Sequence, residues 1–282
     1  MIDDPADRPR GGLPPLSQGP GWVVVAKPPR LLVHRNPRMR HSDAALQRVR
    51  RQMGTRVYPI HRLDRNTSGC LLFAVDRKLA GPLSKAHTSP EATKVYVAFV
   101  RGYVALDGPT VVETPIKYPD GTYKDARSVV RVLGRSHEPR CSLLEVRPDT
   151  GRHHQVRRHV RDLHHPIIGD GDHGDSRVNR WWRENMGNAR LGLHCVHLHV
   201  PASTYADLDH DIDATCPLFT DQFALFSQLP WWDDAVAALP ALGRPPLTLL
   251  EDRVVDGGPG PSPDPAPAPA DADPDAAPPP AP

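Results

Sequence analysis

Apolar residues in this chain come in short β-branched runs separated by Pro, Gly and Asp, a pattern of strands joined by turns. Trp22 to Ala26 reads as the first strand, closed by Lys27-Pro28-Pro29, and Leu31 to Val33 as a short second one. Val57 to Ile60 and Cys70 to Val75 bracket a polar loop, His61 to Gly69. Further strands are expected at 94–101, 127–133, 141–146 and 191–200. Helical spacing appears from Ser42 or Asp43, as cap, through Met53, where Leu46, Val49 and Met53 share a face. Other helices are expected at 78–87, 153–163, 178–186 and 220–239, the last interrupted near Pro230. Strands outnumber helices and many connections are short, so a large mixed, mostly antiparallel sheet flanked by helices, an α+β domain, fits better than a βαβ repeat. No internal repeat, dinucleotide fingerprint or phosphate-binding loop motif is present.

Composition divides the chain. Of 34 prolines, 11 fall between Asp256 and Pro282, a stretch with five Asp, no Lys or Arg and no aromatic residue. Such a tail lacks the apolar surface to fold and is expected to be disordered. The expected layout is a flexible leader over 1–20, a catalytic domain over 21–240, a connecting segment over 241–255 and the tail over 256–282. Without the tail the formal charge rises from +2 to +7, compatible with a polyanionic partner. Cys70, Cys141, Cys195 and Cys216 lie far apart with no C-x-x-C pair, which argues against a disulfide framework or thiolate zinc site. With no signal-peptide pattern and no apolar run near the ~20 residues of a membrane span, a cytoplasmic protein is expected.

Three segments carry candidate chemistry. In HRLDRNTSG (61–69) the Asp64 carboxylate lies between Arg62 and Arg65, which favours its ionised form if the three converge, while Thr67, Ser68 and Gly69 can brace the loop. An ordinary surface ion-pair turn has the same charge pattern. In DTGRHHQVRRH (149–159) Thr150 can cap a helix that shows His154, Arg157, Arg158 and Arg161 on one broad face, either toward phosphates and a carboxylate or simply toward solvent. His154 and His159 are five apart with no Glu between, which speaks against a metal site. On the strand from Lys94, alternation sends Lys94, Tyr96 and Ala98 to one face and Val95, Val97 and Phe99 to the other. Tyr96 can there stack on a base or pack within the sheet.

HRLDRNTSG before an apolar strand, then KVYVAFVRG, then TGRHHQVRRH with LHHPIIGD, in this order and at these separations, resembles the RluA-type pseudouridine synthase family from about Trp22 to Trp232. GDGDHGDSRVNR (169–180) and the short N-terminus most resemble its tRNA pseudouridine synthase C type. Cys70 stands where an aliphatic residue is usual and Val156 where Leu or Ile is, and neither touches the polar residues. The resemblance implies the pseudouridine synthase fold and isomerisation of a specific uridine, in the acceptor or T-stem region of tRNA, with no metal or other cofactor; a monomer acting away from membranes is expected. It implies Asp64 as the catalytic aspartate, Arg157 as its buried ion-pair partner, Tyr96 against the uracil and Arg62 entering the RNA where the base left. Arg65, Thr67, Lys94, Arg152, His154 and Arg158 are expected to bind substrate, and Arg35, Arg38, Arg40 and Arg161 to approach phosphates. The same chemistry on ribosomal RNA, or RNA binding without catalysis, are the alternatives.

Overall fold

The computed structural model describes residues 11–35, 39–202, 208 and 210–248. The tail (256–282) and Arg38 lie outside the described residues. In chain order the elements are β1 (Pro15–Gly19), β2 (Trp22–Lys27), α1 (Ala45–Met53), β3 (Tyr58–Pro59), β4 (Ser68–Ala74), α2 (Arg77–His87), β5 (Thr93–Arg101), β6 (Thr110–Val112), β7 (Ile116–Lys117), β8 (Tyr123–Lys124), β9 (Ser128–His137), β10 (Arg140–Pro148), α3 (Gln155–Asp162), α4 (Ser176–Met186), β11 (Leu193–Val200), β12 (Ile212–Thr215), α5 (Thr220–Phe226) and α6 (Trp232–Ala238).

Ten strands form one mixed sheet in the order β1-β2-β4-β11-β5-β10-β9-β6, with β12 on β11 and β3 on β4, while β7 and β8 make a separate ribbon. Every residue of β2 and of β4 is buried, as expected for central strands covered on both faces. Strand β5 divides its side chains as its alternation predicts: Val95, Val97 and Phe99 join one apolar cluster and Ala98 and Val100 another. Phe99 sits edge-on to Trp182 at 5.0 Å and near Phe226 and Trp231, which fixes α4, α5 and α6 on that face.

The pairing of β4 with β11 is parallel, Ser68 with His194 and Gly69 with Cys195, while the other strand pairs of the sheet are antiparallel. Gly69 has φ 121°, and a Cβ there would lie 2.2 Å from the Cys195 carbonyl oxygen, so glycine is required for the strands to approach. Beside it runs a buried polar chain. Arg190 Nη1 donates to Ser68 Oγ at 3.0 Å, Ser68 Oγ lies 2.9 Å from His194 Nδ1, and His194 Nε2 lies 3.0 Å from the Cys216 carbonyl. With a neutral ring one proton arrangement satisfies all three: Ser68 donates to Nδ1, and Nε2–H donates to the carbonyl. Burial foremost pushes the His194 pKa down to about 4, so the ring is neutral.

Several boundaries differ from expectation. The leader does not extend to residue 20, because Pro15–Gly19 pairs with β2. Leu31 to Val33 is no strand but makes a single bridge from Leu32 to Ala44, since the chain turns at Arg30 (φ 65°) and folds over Lys27. Thr150 does not cap α3: its hydroxyl bonds Gln155 Oε1 at 2.7 Å, and His154 takes the cap position in a left-handed conformation, φ 53°. The folded body does not end at residue 240, because Leu242 is fully buried and Leu247 bridges to Phe219.

Candidate active site

The 61–67 loop leaves β3 and returns into β4, and a cation from below holds it. Lys27, fully buried at the end of β2, donates through Nζ to the carbonyls of Pro28, Leu31 and Arg65 at 3.0, 2.8 and 3.1 Å. The Thr67 amide closes the turn on the Asp64 carbonyl at 3.1 Å. The Asp64 side chain stands above this base with 18% of its surface exposed, reachable from solvent but largely walled.

Its guanidinium partner is Arg157 on α3, with Nη1 at 3.3 Å from Asp64 Oδ2. Arg157 is itself held more tightly elsewhere. Nε and Nη2 donate to the two oxygens of buried Asp170 at 2.8 and 2.7 Å, and Nη2 also to Asp172 at 2.6 Å. Burial alone would lower the Arg157 pKa, but the Asp170 hydrogen bonds and charge outweigh it and hold the guanidinium protonated. For Asp170, likewise, burial works toward a raised pKa and Arg157 overcomes it, keeping the carboxylate ionised. Backbone amides of Asp172 and His173 also donate to Asp170 at 2.9 and 3.0 Å. The bidentate pair presets the guanidinium before any substrate arrives.

Tyr96 on β5 faces the same space. Its ring is half-buried, and its hydroxyl pKa is raised by burial first, then by Cys195, with the Asp64 charge adding to the effect. His154 Nε2 lies 3.8 Å from Asp64 Oδ2, while its Nδ1 is 3.0 Å from His173 Nε2 and its ring stacks on His153. Lys94 is 8% exposed, its pKa lowered by burial, and its charge bears on His61 and His87, whose rings stack at 4.6 Å. Thr67 is buried with no hydrogen-bond partner for its hydroxyl among the described residues.

The arginines beside Asp64 do not converge on it. Arg62 is exposed, with no side-chain hydrogen bond or ion pair among the described residues, and Arg65 turns away to the Arg30 carbonyl at 3.2 Å. Arg152 and Arg158 brace loops, donating to the carbonyls of Asp125 and Lys117 at 3.0 and 2.9 Å, and Arg161 pairs with its neighbour Asp162. The broad basic face expected of α3 is therefore divided: His154 and Arg157 point inward, while Arg158 and Arg161 lie at the rim. Asp170 and Asp172 carry no assigned role in the sequence reading, although three Asp between 170 and 175, just after a helix rich in arginine, were the available signal.

A family profile described as RNA pseudouridylate synthase matches residues 21–162, a span that holds Asp64, Tyr96 and Arg157. The chain belongs to that family. Among relatives of this RNA pseudouridylate synthase, "tRNA pseudouridine synthase C" of Yersinia pestis is 40% identical over 198 residues, 63% of this chain and 77% of the relative. The protein of the same name from Haemophilus ducreyi is 34% identical over 229 residues, 74% and 92% of the two chains. The fold is that of the solved human RNA pseudouridylate synthase domain containing 1, with a TM-score of 0.61 at 21% identity, covering 87% of this chain and 99% of that one. As a pseudouridylate synthase the chain is an isomerase acting on uridine in RNA. No helix among the described residues is long and apolar enough to cross a membrane.

Proposed function

We propose that this pseudouridine synthase modifies a uridine in tRNA, in the acceptor or T-stem region, and that Asp64 carries the chemistry. The observation that carries the mechanism is the reachable Asp64 carboxylate, 3.3 Å from an arginine that Asp170 already fixes. In one route an Asp64 oxygen attacks C1′ and the N1–C1′ electron pair leaves with the uracil. The ring turns, C5 attacks C1′, the Asp64–C1′ pair returns to the carboxylate, C5 loses its proton and N1 gains one. In the other route Asp64 removes the 2′ proton as uracil departs, leaving a glycal. C2′ then recovers its proton, C5 adds to C1′, and C5 loses its proton while N1 gains one. Both begin at the same carboxylate, and the Arg157 contact orients it in both.

A stacked base must be extruded to reach Asp64, at a cost of a few kcal/mol. The Tyr96 ring receives the uracil, and Arg62, exposed and unpaired among the described residues, takes its place in the RNA. Support for tRNA comes from the shared name of the Yersinia and Haemophilus relatives. The test measures tritium released from [5-³H]uridine-labelled tRNA, beside a carbodiimide primer-extension map of total RNA from cells with and without the gene. Wild-type chain should release tritium and Asp64→Asn should not, while still binding the RNA, and one stop in tRNA should vanish with the gene. Near-normal release by Asp64→Asn overturns the mechanism, and a vanished stop in ribosomal RNA overturns the substrate.

A further inference from the structure

At the far end of β5 from Tyr96 lies a second site. Arg101 is five residues along the strand, about 17 Å at ~3.3 Å per residue. Here a cleft of about 580 Å³, within the range of ligand sites, opens between the end of β5, the β9–β10 turn, the segment after α3 and one face of α4. Its wall includes Trp181, 46% exposed although its neighbour Trp182 is buried to 2%. The two indoles meet edge to face at 5.2 Å, which steadies Trp181 and leaves much of its surface to solvent. His137, which also lines the cleft, lies flat on Tyr103 at 4.0 Å, and Arg135 stands 5.1 Å from the Tyr103 ring behind it.

The charges point to an anion. Arg140 is exposed, with no side-chain hydrogen bond or ion pair among the described residues, and His164 beside it in the cleft is likewise exposed. Arg101 is shared with Asp175 at 3.2 Å, an exposed pair worth little. Arg177, one turn before Trp181, and Arg180 and Arg183 around the helix are exposed too, against Glu138, Asp175 and Glu184. Helix α4 is also tied to the active site: Asn179 accepts from the Gly169 amide at 2.7 Å and donates to the Asp170 carbonyl at 2.8 Å.

We infer that this cleft binds an unpaired nucleotide of the RNA substrate, its base on Trp181 and its phosphate at Arg140, and so measures the RNA at a second point. The inference rests on the family's RNA chemistry and not on tRNA being the target. An indole face beside a free guanidinium is the arrangement by which single-stranded nucleotides are held without reading sequence.

The test uses the full chain and [5-³H]uridine-labelled total RNA from cells lacking the gene, followed by tritium release and by filter binding. Trp181→Ala should raise the apparent KM and Kd by about 5- to 150-fold, the equivalent of one lost base–aromatic stack, with kcat unchanged. Trp181→Phe should recover most of the affinity. Arg140→Ala should flatten the log–log salt dependence of binding by about 0.7, the share of one phosphate on a single strand. Thermal unfolding of all three should match wild type. If Trp181→Ala binds RNA as wild type does, the inference is overturned and the cleft belongs to a protein partner or to solvent, while release by wild type leaves the catalytic reading intact. If wild type releases no tritium, that reading fails, and the filter-binding ratio still decides this one.

Discussion

Arg157 touches three carboxylates, and removing its guanidinium leaves Asp170 as a fully buried charge without its partner. Arg157→Ala should therefore lose activity and also about 3–5 kcal/mol of stability, the usual cost of breaking a buried pair from one side. Differential scanning calorimetry should show melting lowered on the order of 10 °C; an unshifted Tm would mean that the cluster does not hold the fold. At Tyr96, Phe keeps the stacking face and loses only the hydroxyl. Tritium release by Tyr96→Phe should exceed that of Tyr96→Ala, with the stacking difference worth ~1–3 kcal/mol. Equal impairment would give the role to the hydroxyl. Asp64, Tyr96 and Arg157 are legible in the sequence because each sits in a contiguous motif whose residues carry its resemblance. Asp170 is not, because its meaning depends on the chain doubling back after α3 to place it under Arg157, 13 positions away. The convergence of Arg62 and Arg65 on Asp64 misleads for a related reason: neighbours in sequence point outward from a tight turn, and the partner comes from another element.

Among the elements, β2, β4, β5, β9, β10 and β11 are readable because apolar runs of strand length, bounded by turn residues, mark strands. β1 is not, since Pro15 to Gly19 carries no apolar run and owes its conformation to pairing with β2. The seam between β4 and β11 makes a measurable demand on pH. His194 has a folded pKa of about 4, below its ordinary 6.5, so the unfolded chain binds the extra proton between those values. Its contribution is complete above pH 6.5 and is lost as pH falls toward 4, at up to about 1.4 kcal/mol per unit. Urea unfolding from pH 7 to 4.5 should show His194→Gln with lower stability at pH 7 and a shallower decline than wild type. Parallel curves would mean the imidazole is not held neutral.

For the whole molecule, the net charge of +2 conceals an acidic tail against a body of +7. Five carboxylates and no cation repel RNA, so deletion of 256–282 should tighten RNA binding at low salt, with the difference fading as salt screens it. The melting temperature and kcat at saturating RNA should stay as they are. Weaker binding at every salt concentration would make the tail a functional element. The acidity and proline content of this stretch are plain in composition alone, whereas the reach of the folded body to Leu247 is not, because it depends on a bridge back to Phe219.

The parallel seam also bears on when the protein becomes an enzyme. Ser68 meets His194 across 126 positions and Asp64 meets Arg157 across 93, so neither half of the site is complete when its first strand leaves the ribosome. At ~5–20 residues per second, the interval between making β4 and making β11 is roughly 6–25 s. During that time the nascent chain displays Asp64 without β11 beside β4. Loop closure over so many residues is slow, and a chain released early by truncation carries the carboxylate but no seam. A chain truncated before β11 should therefore release no tritium from labelled RNA, and release at the full-length rate would show that the seam is not needed for catalysis.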